Sequence, residues 1–513
     1  MFPVVMAVAT GPCPNCGSSI EFRAGSSLSL VCKYCKHVVV RTDRDLQNLG
    51  RVADVAFSDA ALSPGDSGTF RGRSFSIEGR LVLQHPQGGT WEEYFAVFSD
   101  AGRQNNAWIS EAQGFWQVVS AVEVQAPPIQ SLQPQMQVPL GQYGIFVVGE
   151  KNEGTFLSGE GELPFAAAPG TKRLFVDLSA AGGGWASIDY GDGTKAPQVY
   201  VGVQTTLAEF QIRERGGDRP VAKIATKAIT CGSCGAPLPV LSPGTERAAC
   251  VHCNAITDVK LQQVVARQGQ ARERPSIALG TKGILPVPDA RGLSNAEWTV
   301  LGYVERSTGA MGGDDWFGWQ EYLLYNVQHG YRWLVFDEGV FYLVTPLAAG
   351  DIDASRAPLF VRMNNVHFRQ RNQQQARVDF VLGEFYWKVE VGETVWAEDF
   401  ENGRQIISSE KNQTEISWSH GVVVPTPVVA QAFGYQPKAT AYGVPEAAAF
   451  GGGGNFIAPS GGMSSGLVIA IVLIVILVLA MASCGACAGG GGSGSSSGFR
   501  GVGGSSSGGF GGK

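Results

Sequence analysis

Over most of its length the chain places apolar residues in short runs of strand length, separated by Gly, Asp and Asn. Tyr94-Phe95-Ala96-Val97-Phe98, Tyr322-Leu323-Leu324-Tyr325, Trp333-Leu334-Val335-Phe336 and Val340-Phe341-Tyr342-Leu343-Val344 are rich in aromatic and aliphatic residues. Spacings of about 8–12 residues between such runs predict antiparallel β-sandwich or barrel units. Phe385-x-Trp387-x-Val389-x-Val391 alternates, which predicts a strand with one buried and one more polar face. Asp337-Glu338-Gly339 and Tyr190-Gly191-Asp192-Gly193 read as turns. The fold class expected is mainly β.

Near the C-terminus the pattern changes. Leu467 to Ala482 is an unbroken run of sixteen apolar residues, extended by small uncharged flanks over 466–488. That is about the 20 residues a bilayer-spanning helix needs, so one transmembrane helix is predicted. Residues 426–465, rich in Pro, Ala and Gly, predict a flexible stalk. Residues 489–513 are almost all Gly and Ser and predict a disordered tail.

The chain is also duplicated. Cys13-x2-Cys16 and Cys32-x2-Cys35 stand fifteen residues apart, and Cys231-x2-Cys234 and Cys250-x2-Cys253 repeat that spacing. Four thiolates so placed predict one closed, structural Zn²⁺ site per cluster, giving zinc ribbons at 1–45 and 225–262. His37 and His252 lie near the clusters, but four cysteines already suffice. A short polar connector follows each ribbon, with helix as one reading. The repeat then runs on through β domains at 55–215 and 270–425. Trp91-Glu92-Glu93-Tyr94 matches Trp319-Gln320-Glu321-Tyr322, and Phe75-x3-Gly79 matches Trp298-x3-Gly302. Trp108-Ile109 matches Trp333-Leu334, and Gly161-Glu162-Leu163-Pro164-Phe165 matches Gly383-Glu384-Phe385-Tyr386-Trp387. In both copies a Gly follows at equal spacing (Gly170, Gly392), then an Asp (Asp177, Asp399).

These motifs resemble the bacterial family called domain of unknown function 4178, in two tandem copies, each with a zinc-ribbon head. The resemblance implies bacterial origin and an association with membrane-stress or polyamine-related processes. It implies no activity.

Composition narrows the function classes. The net charge is −6 and no Lys/Arg run exceeds two residues, which argues against nucleic acid as a partner. Eight of the ten cysteines sit in the two clusters and need a reducing compartment to remain thiolates. No signal peptide is evident at the N-terminus. The expected placement is therefore the inner cell membrane, single-pass, with the N-terminal bulk cytoplasmic and the tail outside. Arg500 and Lys513 in the tail pull the other way. Cys484 and Cys487 at the membrane exit allow a disulfide, a lipid or no role.

Catalytic motifs are missing: there is no G-x-x-x-x-G-K-[ST], no H-E-x-x-H, and G-x-S-x-G occurs only in the tail. Trp91, Glu93, Trp319 and Glu321 are candidate ligand-binding residues, since a carboxylate beside a Trp face suits a cation such as a polyamine. Strand alternation gives the competing reading, in which Glu93 and Glu321 face solvent. Glu162 and Glu384 read as turn or edge residues. The function expected is a membrane-anchored cytoplasmic scaffold or sensor without catalysis, with a protein partner. The alternative is an enzyme or small-cation-binding protein built on the duplicated Glu and Trp residues.

Overall fold

The computed structural model describes residues 9–436, apart from 23–26, 42–45, 53–59, 101–102, 167, 217–228, 243, 290–291 and 310–315. The expected span at 466–488, most of the stalk and the tail lie outside the described residues. Among the described residues no helix is long and apolar enough to cross a membrane.

Each repeat is a closed eight-stranded antiparallel barrel. The first consists of β1 (Arg73–Gln84), β2 (Thr90–Asp100), β3 (Arg103–Ala112), β4 (Phe115–Val122), β5 (Ile145–Leu163), β6 (Lys172–Ala180), β7 (Gly184–Gly191) and β8 (Gln198–Thr205). The second consists of β9 (Gly292–Thr308), β10 (Phe317–Asn326), β11 (Gly330–Asp337), β12 (Val340–Leu347), β13 (Val366–Phe385), β14 (Thr394–Asn402), β15 (Gln405–Lys411) and β16 (Ile416–Val424). The order round the first barrel is β1-β2-β3-β4-β8-β7-β6-β5, and β5 closes on β1. The second repeats this order, with β13 closing on β9. Each barrel is two four-stranded meanders joined by a crossover, and closure leaves no sheet edge between them.

Apolar residues lie on the outer face and are covered. In the first barrel Phe75, Ile77, Tyr94 and Ile109 pack under Leu62 and Phe210, while Val176, Leu178 and Ile188 pack under Leu132, Val138 and Leu140 of the crossover. In the second, Trp298, Tyr322 and Phe341 pack under Val429 and Phe433. These last two belong to a helix at Thr426–Phe433, ended by Gly434 in the left-handed conformation. The first residues of the expected stalk are thus folded onto the barrel, because apolar side chains one helical turn apart share a face.

The closing strands explain the repeated glycines. Gly79 faces Gly161, and Gly302 faces Gly383. Gly161 and Gly383 have φ of +68° and +84°, and a Cβ there would stand 2.3 Å from the Glu78 carbonyl and 2.2 Å from that of Leu301. At this crossing the closing strand leaves the barrel and pairs with a ribbon: Gly161–Leu163 with Ser29–Val31, and Gly383–Phe385 with Arg247–Ala249. The connectors after the ribbons are strands, Leu46–Arg51 and Gln263–Arg267, each paired with the preceding ribbon strand.

The expected strand Phe385 to Val391 is absent, since β13 ends at Phe385. Tyr386 and Trp387 leave the sheet to pack on Tyr331 and Trp333, with ring centroids 4.3 and 5.8 Å apart.

Candidate functional site

In the cysteine clusters the four Sγ atoms lie within 4.8 Å of one another. Cys13–Cys35 and Cys16–Cys32 are 3.7 and 3.8 Å apart, and Cys231–Cys253 and Cys234–Cys250 are 3.6 and 3.7 Å apart. Four thiolates about 2.3 Å from a tetrahedral ion stand roughly 3.8 Å from each other, so each quartet fits one metal ion. His37 directs Nδ1 to the Cys35 carbonyl at 3.0 Å, consistent with a metal site made of cysteines alone.

The interior of the first barrel is a cavity of ≈ 290 Å³, with a lining contributed by all eight strands. Strand alternation turns Trp91 and Glu93 inward, opposite Leu83 and Leu81. The Trp91 indole donates to Glu93 at 3.0 Å and its ring packs on Phe175 at 5.5 Å. Glu93 is half-buried, and it lines the cavity with Glu150, Asp177, Asp189 and Glu415. Against these five carboxyl groups the lining offers Arg173 and His85. Arg173 Nε pairs with Asp189 at 3.3 Å, and His85 Nε2 meets Glu150 at 2.8 Å.

Glu415 comes from the second repeat. The hairpin between β15 and β16 lies against β5, with Lys151 N–H donating to the Thr414 carbonyl at 2.8 Å and Glu150 bridged to Glu415. Two repeats therefore build one cavity wall.

Burial raises the pKa of Asp177, Glu93 and Glu415. Asp177 is pushed up to about 8 by burial, with Glu150 adding to it. Burial lifts Glu93 despite the Trp91 hydrogen bond, and lifts Glu415 well above the carboxylate range, with Glu150 adding. A raised carboxyl pKa favours the protonated form, and a positive charge placed beside it would lower that pKa again.

The second barrel keeps three of these carboxylates, has Asn372 where the first has Glu150, and is filled differently. Glu321 and Glu410 occupy the register positions of Glu93 and Asp189, and Asp399 that of Asp177. Arg306, fully buried, lies 2.7 Å from Glu410 and 3.7 Å from Glu321, with its guanidinium carbon 5.9 Å from the Trp319 ring centroid. Trp319 donates to Glu321 at 2.6 Å. Burial outweighs the arginine and pushes Glu321 up to about 8.

The sequence-derived pairs are thus interior, and the solvent-facing reading of Glu93 and Glu321 fails because the polar face of each strand points into a barrel. Trp91 with Glu93 and Trp319 with Glu321 stay in separate barrels and do not share a pocket. Glu162 and Glu384 are also buried, where the closing strand meets the ribbon. Glu384 accepts from Leu241 N at 2.8 Å, Ser242 N at 3.2 Å and Thr245 Oγ1 at 2.8 Å. Glu150, Asp189, Arg173, Glu415 and Arg306 carried no sequence signal. Asp177 and Asp399 did, as repeat anchors of equal spacing.

No curated protein and no solved structure matches the chain. The family described as Domain of unknown function (DUF4178) matches residues 63–206 and 292–426, which contain the two barrels. The matched stretches take in more than half of the sequence, and the chain belongs to the DUF4178 family.

Proposed function

We propose that the protein is a membrane-anchored, non-catalytic sensor in which the first barrel binds a small organic cation and the second barrel braces it. The observation that carries this reading is the excess of carboxyl groups in an aromatic-lined cavity: five against one arginine and one histidine. Crowded carboxyl groups resist ionising together, and a cation among them favours their charged form. Trp91 supplies a face for it and Glu93 a counter-charge. The cysteine quartets hold Zn²⁺ in this proposal, fixing the ribbon strands to the barrel edges, and residues 466–488 hold the assembly at the membrane.

Isothermal titration of the full chain in detergent with spermidine, putrescine and tetramethylammonium tests the site. One cation per chain is expected, with at least about ten-fold weaker binding in Glu93→Gln and Asp177→Asn. Absence of binding by all three between pH 6 and 8 would refute the reading. Elemental analysis should find about two Zn²⁺ per chain. Deleting 466–488 should move the protein from the membrane to the soluble fraction.

A further inference from the structure

The two barrels share three carboxylates, Glu93, Asp177 and Asp189 matching Glu321, Asp399 and Glu410, and differ in how the matched acids are neutralised. In the second, the single guanidinium of Arg306 serves Glu410 and Glu321 and lies over Trp319. In the first, the position of Arg306 is held by Leu83, which faces Trp91 as Arg306 faces Trp319. Arg173 reaches Asp189, the counterpart of Glu410, from a different strand. Its own counterpart is Val395, since Arg173 pairs with Gly154 and Val395 with Ala376. Asp189 is paired with Arg173, while Glu93, Asp177 and Glu415, each with one neutral donor, line the cavity with Trp91. Each interior therefore carries one guanidinium, but the second seats it over Trp319, whereas Arg173 lies over Phe165 and leaves the Trp91 side of the first cavity without one.

We infer that the first-barrel cavity is a site for a guanidinium-bearing small molecule, seated against Trp91 and Glu93 as Arg306 is seated against Trp319 and Glu321. This rests on reading the cavity as a cation site and goes further by naming the cation's chemistry. A guanidinium is planar, so it stacks on an indole and meets a carboxylate through two parallel N–H donors. It is also more weakly hydrated than an ammonium, so leaving water for a protein cavity costs it less. Glu415, brought in by the second repeat, lies across the cavity wall as a further acceptor for the ligand's donors.

The test is calorimetric titration of the full chain in detergent with n-butylguanidinium and n-pentylammonium, two cations of equal charge and similar length. Butylguanidinium should bind at one per chain and at least about ten-fold more tightly. Equal or tighter binding of the ammonium, or binding of spermidine without any preference for guanidinium, overturns the inference and leaves the cation site standing. Binding of none of these cations overturns both. An independent measurement uses the second barrel. Arg306→Ala should lower the melting temperature, and methylguanidinium should restore it saturably where methylammonium does not. Equal response to the two ions counts against the inference. If Arg306→Ala fails to fold, Arg306→Lys keeps the charge without the plane and should melt below wild type. Melting at the wild-type temperature would overturn the argument.

Discussion

Replacing Glu384 with alanine should loosen the second ribbon from its barrel. Glu384 is 4% exposed and stands on the part of β13 that has left the barrel and pairs with the ribbon at Ala248. Its carboxylate accepts from the backbone of Leu241 and Ser242 and from the Thr245 hydroxyl. Hydrogen bonds to a charged group contribute about 1.5–3 kcal/mol each, and a buried donor left without a partner costs about 1–3 kcal/mol. Three such donors lose their acceptor at once, and they share one carboxylate, so their losses do not add fully. A total of about 4 kcal/mol is expected for Glu384→Ala. Glu384→Gln keeps one acceptor oxygen and should cost about half as much. The assay is urea denaturation of the full chain, followed by hydrogen exchange across residues 236–249. The exchange increase should centre on Leu241 and Ser242, and a chelator should take metal from the second cluster faster than from the first. A change below about 0.5 kcal/mol, or exchange raised equally in the first barrel, would refute the reasoning.

Cation affinity should rise from pH 6 to 8, because Asp177 at about 8 and the raised Glu93 and Glu415 must give up protons to bind; titration in two buffers of different ionisation enthalpy reads the protons released. Without cation the same raised groups favour the folded state below the ordinary carboxylate range, and that contribution is lost as pH rises toward about 8, so melting temperature should fall over that interval. Metal removal should raise hydrogen exchange at 161–163 and 383–385, where ribbon strands pair with the closing strands, while β10 and β11 stay protected. Gly383→Ala should destabilise by about 2–4 kcal/mol in a denaturation series, since its left-handed φ is unfavourable for alanine and the new Cβ meets a carbonyl. Leu83→Arg should place a guanidinium beside Trp91 as Arg306 lies beside Trp319 and abolish cation binding while the barrel still folds, as circular dichroism and titration can check.

Much of the fold was legible because the outer faces of the barrels are aromatic and aliphatic. Tyr94 to Phe98 and Trp333 to Phe336 stand out for that reason, and both lie inside strands. Closure was not legible, since β5 meeting β1 and β13 meeting β9 join distant residues. β13 itself was missed: Gln373-Gln374-Gln375 interrupts any apolar period, and the visible alternation begins only where the strand stops. The site was half legible. Repetition picked out Trp91, Glu93, Trp319 and Glu321, but the alternation rule assigns the polar face of a strand to water. Here that face is enclosed, so polarity marked the inside. Glu415 was beyond reach because it acts in the other repeat's cavity.

The arginine has two addresses in one duplicated design, Arg173 on β6 and Arg306 on β9, each matched by an aliphatic residue in the other copy. A fixed guanidinium can therefore reach the same acid, Asp189 or Glu410, from either of two strands of one fold, so its position round the barrel can change while the acids keep their register.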